Sequence, residues 1–177
     1  MMNSEIREIE GGITSVQGIK AGGVGCGIKE KGEDLAIVLS EGEVVVAATF
    51  TTNSVKAAPV LLSREMLKSG SPRAVVVNSG NANACTGDRG LEDARVMSAR
   101  AARCLGLEPG SVLVASTGLI GQYLPMDKVI EGIERLAPSI GPDGGEAAAR
   151  GIMTTDKFPK TTALKYSSAG SSIRIGG

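Results

Sequence analysis

Three consecutive β-branched residues, Val75–Val77, run straight into Asn78-Ser79-Gly80-Asn81-Ala82-Asn83-Ala84-Cys85-Thr86-Gly87. The valines favour extended, buried backbone, whereas Asn, Ser and Gly favour tight turns and tolerate positive φ. The pattern predicts a strand that ends at Asn78 and faces a loop able to hold polar groups close to a small ligand. An ordinary Asn/Gly turn within an α/β fold satisfies the same residues.

The remaining apolar segments are short and of two kinds. Between Gly11 and Gly27 glycines interrupt Ile13, Val16, Ile19 and Val24, which reads as extended pieces joined by turns. Leu35–Leu39 and Val44–Phe50, separated by the polar Ser40-Glu41-Gly42-Glu43, read as a hairpin. Pro59 is expected to hold Ala58 out of the helical region, with a short helix over Ser63–Lys68 that Gly70 and Pro72 end. Strands are expected at Arg73–Val77 and Val112–Ala115. Between them Leu91, Ala94, Arg95, Met97, Ser98, Ala101, Ala102 and Leu105 give a mostly apolar face at helical spacing, with Gly106 at the C-cap. A second amphipathic helix follows Pro125, carrying Val129, Ile130, Ile133 and Leu136. A third covers Glu146–Met153, and strands Thr161–Tyr166 and Ser172–Ile175 close the series. Helices and strands in this order predict a mixed α/β sandwich of β-sheets with outer helices. With 177 residues, 42% of them hydrophobic, residues 1–177 are expected to form a single domain with a real core.

Histidine is absent, which removes Ser-His, Cys-His and His-metal chemistry at once. The three cysteines, Cys26, Cys85 and Cys104, are odd in number and widely spaced, as reduced thiols are, so neither a disulfide framework nor a metal site is expected. Nineteen basic residues balance nineteen acidic ones and only 2% of residues are aromatic, which argues against a nucleic-acid surface. The opening Met1–Glu8 carries early charge without the apolar core of a leader, and no apolar run approaches membrane-span length. A cytoplasmic protein is the expectation.

Three loops carry candidate chemistry. Ser116-Thr117-Gly118 follows a strand and sets a hydroxyl beside a glycine, so Thr117 Oγ and the Gly118 N–H can serve one anionic oxygen. Local turn chemistry, with Thr117 bonded to nearby backbone, satisfies the same tripeptide. Thr154-Thr155-Asp156-Lys157-Phe158-Pro159-Lys160 combines hydroxyls, a carboxylate and ammonium groups that suit either a charged metabolite or a solvated connection. Gly22, Gly23, Gly25 and Gly27 lack the GxxxxGK[ST] pattern of a phosphate loop. Cys85 has no histidine to form its thiolate and reads as a small buried filler.

Taken in order, these motifs resemble the self-cleaving glutamate N-acetyltransferases, or ornithine acetyltransferases, of the cyclic arginine pathway. The resemblance rests on Phe50-Thr51-Thr52-Asn53 with Val55-Lys56-Ala57-Ala58-Pro59-Val60 and on Val76–Gly87. It rests also on Ser116-Thr117-Gly118-Leu119-Ile120-Gly121 with Leu124-Pro125-Met126, and on Met153-Thr154-Thr155-Asp156 with Pro159-Lys160. It implies the fold of the N-terminal-threonine ornithine acetyltransferases. In them one precursor cuts itself before a threonine, and the new β-chain N-terminus is the nucleophile. This sequence resembles the α chain, and the family's Ala-Thr-Met-Leu cleavage site does not follow its Ile175-Gly176-Gly177. A companion β chain is therefore expected to bring the attacking threonine, in a heterotetramer of two α and two β chains. An N-terminal threonine can use its own α-amine, of ordinary pKa about 7.7 to 8.0, as base, which fits a chain without histidine. Residue by residue, the resemblance makes Thr117 and Gly118 the oxyanion-stabilising pair and Thr154 a substrate-binding residue. It implies ping-pong transfer of acetyl from N-acetylornithine to glutamate with no cofactor, acetyl-CoA being a further donor in bifunctional members. The competing readings are an amide hydrolase or aminopeptidase with the same nucleophile scheme, and a non-catalytic domain that holds a small anion.

Overall fold

The computed structural model describes residues 5–168 and 171–177. It is mixed α/β: strands β1 (Glu5–Ile9), β2 (Ile19–Val24) and β3 (Leu35–Ser40), helix α1 (Ala58–Ser69), strand β4 (Ala74–Asn81), helix α2 (Gly87–Leu105), strand β5 (Val112–Leu119), helices α3 (Met126–Leu136) and α4 (Gly145–Gly151), and strands β6 (Ala163–Ser168) and β7 (Ser171–Gly176). Four strands form one sheet in the order β2-β3-β4-β5, and three form another in the order β1-β6-β7. The β2–β3 and β3–β4 pairs are antiparallel, whereas β4 and β5 are parallel, joined through α2.

Alternation along β3 and β4 sorts the core into two layers. Leu35, Ile37, Ala74 and Val76 join Val112 and Val114 of β5 against Ala94, Met97 and Ala101 of α2 and Val129, Ile133 and Leu136 of α3. The intervening Ala36, Val38 and Val77 face the other way, toward Ala148 of α4. Both layers pack closely on β2, where a Cβ on Gly22 would meet Leu136 and Ile140, and one on Gly23 would lie 2.0 Å from the Ala147 carbonyl oxygen. Beyond α4 this second face is less covered, and Val75, Val77, Leu113 and Ala115 are only half-buried.

Helix α2 begins four residues before its first expected contact and ends at Gly106, whose φ of 66° is the left-handed cap predicted for it. Helix α1 begins at Ala58, five residues earlier than expected, because Pro59 falls in its first turn, where a missing N–H has no partner to lose. The extended residue is Ala57, with φ −64° and ψ 151°.

Two further expectations change. Strand β4 does not stop at Asn78 but continues to Asn81, pairing Asn78 with Ser116 and Ser79 with Thr117 on β5. The Val44–Phe50 segment forms no strand and no hairpin with β3. Both edges of β3 are taken, Ile37 pairing with Gly22 on one side and Val76 on the other, so a third strand has no edge to join. Val45 is 97% exposed, while Val44 and Val46 lean over an apolar recess with Ile19, Val38, Val75 and Leu113. Strand β1, within a segment expected only to lack a leader, pairs antiparallel with β6. No helix among the described residues is long and apolar enough to cross a membrane.

Gly23→Ala drives a methyl group into the α4 backbone and should cost about 1–3 kcal/mol in a denaturant titration of the purified protein. Gly42→Ala, with nothing within 4 Å of the added carbon, should stay within about 0.5 kcal/mol of the parent. Equal midpoints for the two variants would contradict the close packing of α4 on β2.

Candidate functional site

The ends of β4 and β5 carry polar residues into the interior, and each finds a partner. Asn78, Ser79 and Asn83 are fully buried. Asn78 Nδ2 donates to the Asn81 carbonyl at 2.8 Å, and Ser116 Oγ donates to Asn78 Oδ1 at 2.6 Å. Ser79 Oγ donates to the Gly151 carbonyl at 2.7 Å, which fastens the end of α4 to β4. Asn81 Oδ1 accepts the Asn83 N–H at 2.8 Å, while Asn83 Nδ2 donates to the Gly90 carbonyl at 2.8 Å and its Oδ1 accepts from Thr86 Oγ1 at 2.7 Å. A buried polar group without a partner costs about 1–3 kcal/mol, so these bonds are what permit polar residues here. The Asn-rich run is thus a scaffold behind a site, with only Gly80 reaching its wall.

Gly80 pairs with Gly118, and the two backbones meet closely: a Cβ on Gly118 would sit 2.3 Å from the Gly80 carbonyl carbon. Gly118 has φ 136° and Gly80 has φ 97°, values that exclude other residues on backbone grounds as well. The bulge here lets Asn81 pair with both Thr117 and Leu119. Thr117 and Gly118 are consequently exposed at the strand end.

The loop between β2 and β3 supplies a residue that sequence reasoning missed. Asp34 is fully buried and its carboxylate accepts the N–H groups of Cys26 at 2.7 Å, Gly27 at 3.1 Å and Lys29 at 2.8 Å. Burial opposes its ionisation, but the hydrogen bonds from the Cys26 and Lys29 amides outweigh it, and the carboxyl is held below its ordinary value. Burial, followed by the hydrogen bond and charge of Asp34, pushes the Cys26 thiol up to about 12, so it is no nucleophile. The curled loop projects Lys29, whose Nζ donates to the Met153 carbonyl at 2.9 Å. An aspartate placed just before a strand and after a glycine-rich turn was the available sequence signal.

After α4 the chain turns through Thr154 and Thr155. Asp156 accepts the Thr154 N–H at 3.4 Å and pairs with Lys160, whose hydrogen bond holds the Asp156 carboxyl below the usual carboxylate range. Lys29, Gly80, Thr117, Gly118, Leu119, Thr154 and Thr155 line one cleft of about 420 Å3. The structure therefore brings the three candidates Thr117, Gly118 and Thr154 into a single cavity, although they come from distant parts of the chain. Cys85 is not among its lining residues. It is exposed with φ 58°, correcting the reading of a buried filler: the left-handed turn before α2 directs it outward. All three cysteines are unpaired, and among the described residues no group of three His, Cys, Asp or Glu side chains is placed to hold a metal.

Among the described residues, Lys29 is the single ionisable side chain on the cleft wall. The cleft offers hydroxyls, backbone and one ammonium group, an environment suited to anionic oxygens, but no general base beside a hydroxyl to make a nucleophile.

Residues 20–177 match the model of the ArgJ family. The chain belongs to the ArgJ family. Among the relatives, an arginine biosynthesis bifunctional protein ArgJ from Caldanaerobacter subterraneus subsp. tengcongensis is 48% identical over 169 residues, covering 96% of this chain and 42% of that protein. The chain thus spans well under half the length of the curated ArgJ proteins it matches. Among solved structures, the arginine biosynthesis bifunctional protein ArgJ of Bacillus halodurans superimposes with a TM-score of 0.91 at 37% identity, over 98% of this chain and 92% of that one. Ornithine acetyltransferase from Mycobacterium tuberculosis, solved in complex with ornithine, gives 0.89 at 39% identity, over 98% and 93%. These bear out the family resemblance carried by the motifs and the mixed α/β fold expected from it.

Because the folded-state pKa of Asp34 lies below the ordinary 3.8, its ionised form favours the folded state. That contribution is complete above 3.8 and is lost as pH falls through the lowered folded value. Asp34→Asn should lower stability by about 1–3 kcal/mol at neutral pH, with the gap to the parent closing in strong acid. Denaturant midpoints across this range check it, and a gap that stays constant with pH would contradict the carboxylate's role.

Proposed function

We propose that this chain is the α part of a glutamate N-acetyltransferase, or ornithine acetyltransferase, which moves an acetyl group from N-acetylornithine to glutamate in arginine biosynthesis. The observation that carries the proposal is the convergence of Thr117, Gly118 and Thr154 on one cleft that lacks a nucleophile of its own. In this reading Thr117 Oγ and the Gly118 N–H are the donors for the oxyanion of the tetrahedral intermediate, and Thr154 holds the amino-acid part of the substrate. The close Gly80–Gly118 contact supports it, because a rigid backbone keeps donors aligned without reorganisation during reaction.

The attacking hydroxyl belongs to the N-terminal threonine of a companion β chain. Its α-amine takes the hydroxyl proton as the oxygen attacks the acetyl carbonyl, and ornithine leaves protonated. Glutamate then enters, its amine attacks the acyl-threonine, and the hydroxyl is regenerated. The ornithine named with the Mycobacterium tuberculosis structure supports this substrate class. Acetyl-CoA as an alternative donor fits the bifunctional designation of the curated relatives. Those relatives are more than twice as long as this chain, whereas the matched solved chains are nearly its size, which agrees with an enzyme made of two chains. Exposed apolar surface supports the same view. Ile6, Tyr166 and Ile173 lie opposite one another across β1, β6 and β7, and Ile6, Ile173 and Ile175 are more than half exposed. We assign that surface to the companion chain in a cytoplasmic α2β2 assembly.

In the assembled two-chain enzyme, Thr117→Ala should lower kcat about 100- to 1,000-fold while the thermal midpoint stays unchanged, since only one exposed hydroxyl is lost. Unaltered transfer would remove Thr117 from the oxyanion cradle. Thr154→Val should instead raise KM for N-acetylornithine with a smaller effect on kcat, and parental kinetics would take Thr154 out of the site.

A further inference from the structure

We propose that Lys29 is the specificity-determining residue that receives the α-carboxylate of the amino-acid substrate. The inference rests on the acetyltransferase reading of the cleft and adds to it the group that selects an amino acid over other acylated amines. Lys29 is the one charged side chain on the cleft wall, and among the described residues no carboxylate lies within ion-pair distance of its Nζ. The nearby Glu33 is engaged by Arg150 at 2.9 Å, and the oxygens of Asp34 are spent on backbone N–H groups. One of the three ammonium hydrogens is committed to the Met153 carbonyl at 2.9 Å, which leaves two for a ligand.

The position of Nζ decides which end of the substrate this ammonium serves. A Cβ on Gly118 would press against Gly80, and one on Gly80 would press against Lys29 Cγ at 2.8 Å, so the Lys29 stem packs on Gly80 as it crosses the cleft wall. Nζ is anchored at Met153, one residue before Thr154. The Lys29 ammonium therefore stands beside the wall assigned to the amino-acid portion. The Asp34 carboxylate holds the Lys29 backbone by its N–H at 2.8 Å, so the ammonium is presented from a rigid loop. A charged donor so held gives a carboxylate a strong, charge-assisted hydrogen bond.

The test measures binding and needs no turnover. L-ornithine and L-ornithinamide, which differ only in the carboxylate, are titrated calorimetrically into the assembled two-chain enzyme and into its Lys29→Met and Lys29→Arg variants. The parent should prefer ornithine, Lys29→Met should reduce that preference about 10- to 100-fold, and Lys29→Arg should retain part of it. A preference that survives in Lys29→Met overturns the proposal. So does an equal loss for both ligands, which would make Lys29 only a brace for the Met153 carbonyl. So too does a parent enzyme that binds neither ligand or fails to distinguish them. Acetyl transfer by the parent is assayed separately: its absence would sink the acetyltransferase reading, whereas the ornithine to ornithinamide ratio judges Lys29 alone.

Discussion

The site depends on the parallel pairing of β4 and β5 being carried beyond their apolar halves into polar sequence. Ser116 and Asn78 make this possible, because their part-buried hydrogen bond at 2.6 Å and the buried Asn78 bond to the Asn81 carbonyl satisfy groups that would otherwise stop the strands. Two glycines then meet where the pairing ends, and a Cβ on Gly118 would lie 2.3 Å from the Gly80 carbonyl carbon, so the strand backbone itself forms the cleft floor. Thr117 reaches the cleft as a consequence of this register. Slipping the pairing by one residue would turn it to the other side of the sheet.

Two further anchors bring distant segments to that floor. Ser79 Oγ holds the Gly151 carbonyl and so sets the position from which Thr154 and Thr155 emerge. Asp34, through three backbone N–H groups, curls the β2–β3 loop until Lys29 bridges to Met153. Helices α1 to α3 pack on one face of the sheet and α4 on the other, which leaves these anchors at the strand ends. The molecule is a rigid frame for the cleft, and in the assembly we propose its remaining exposed apolar surface meets the companion chain.

Some of this was legible in the amino-acid sequence. Helix α2 and its cap at Gly106 follow from local periodicity and from the backbone freedom of glycine, neither of which needs tertiary context. Thr117, Gly118 and Thr154 were reached through motifs that resemble the family, and their convergence required the fold. The extension of β4 through Asn78–Asn81 was hidden because local propensity favours a turn there, and only cross-strand and cross-layer partners reverse that preference. Val44–Phe50 has the composition of a strand, but strand identity depends on a free edge, and β3 has none. Lys29 was masked for a related reason, since its placement is decided by Asp34 five residues later.

The central claim is that this chain cradles the acyl oxygen while a companion chain's threonine carries the acyl group. Mass mapping of the assembled two-chain enzyme, quenched after mixing with N-acetylornithine in the absence of glutamate, tests this directly. The account predicts an acetyl group on the N-terminal threonine of the companion chain, discharged when glutamate is added, and none on the chain described here. Acetyl found on this chain, at Thr117 or Cys85, and discharged by glutamate would contradict it.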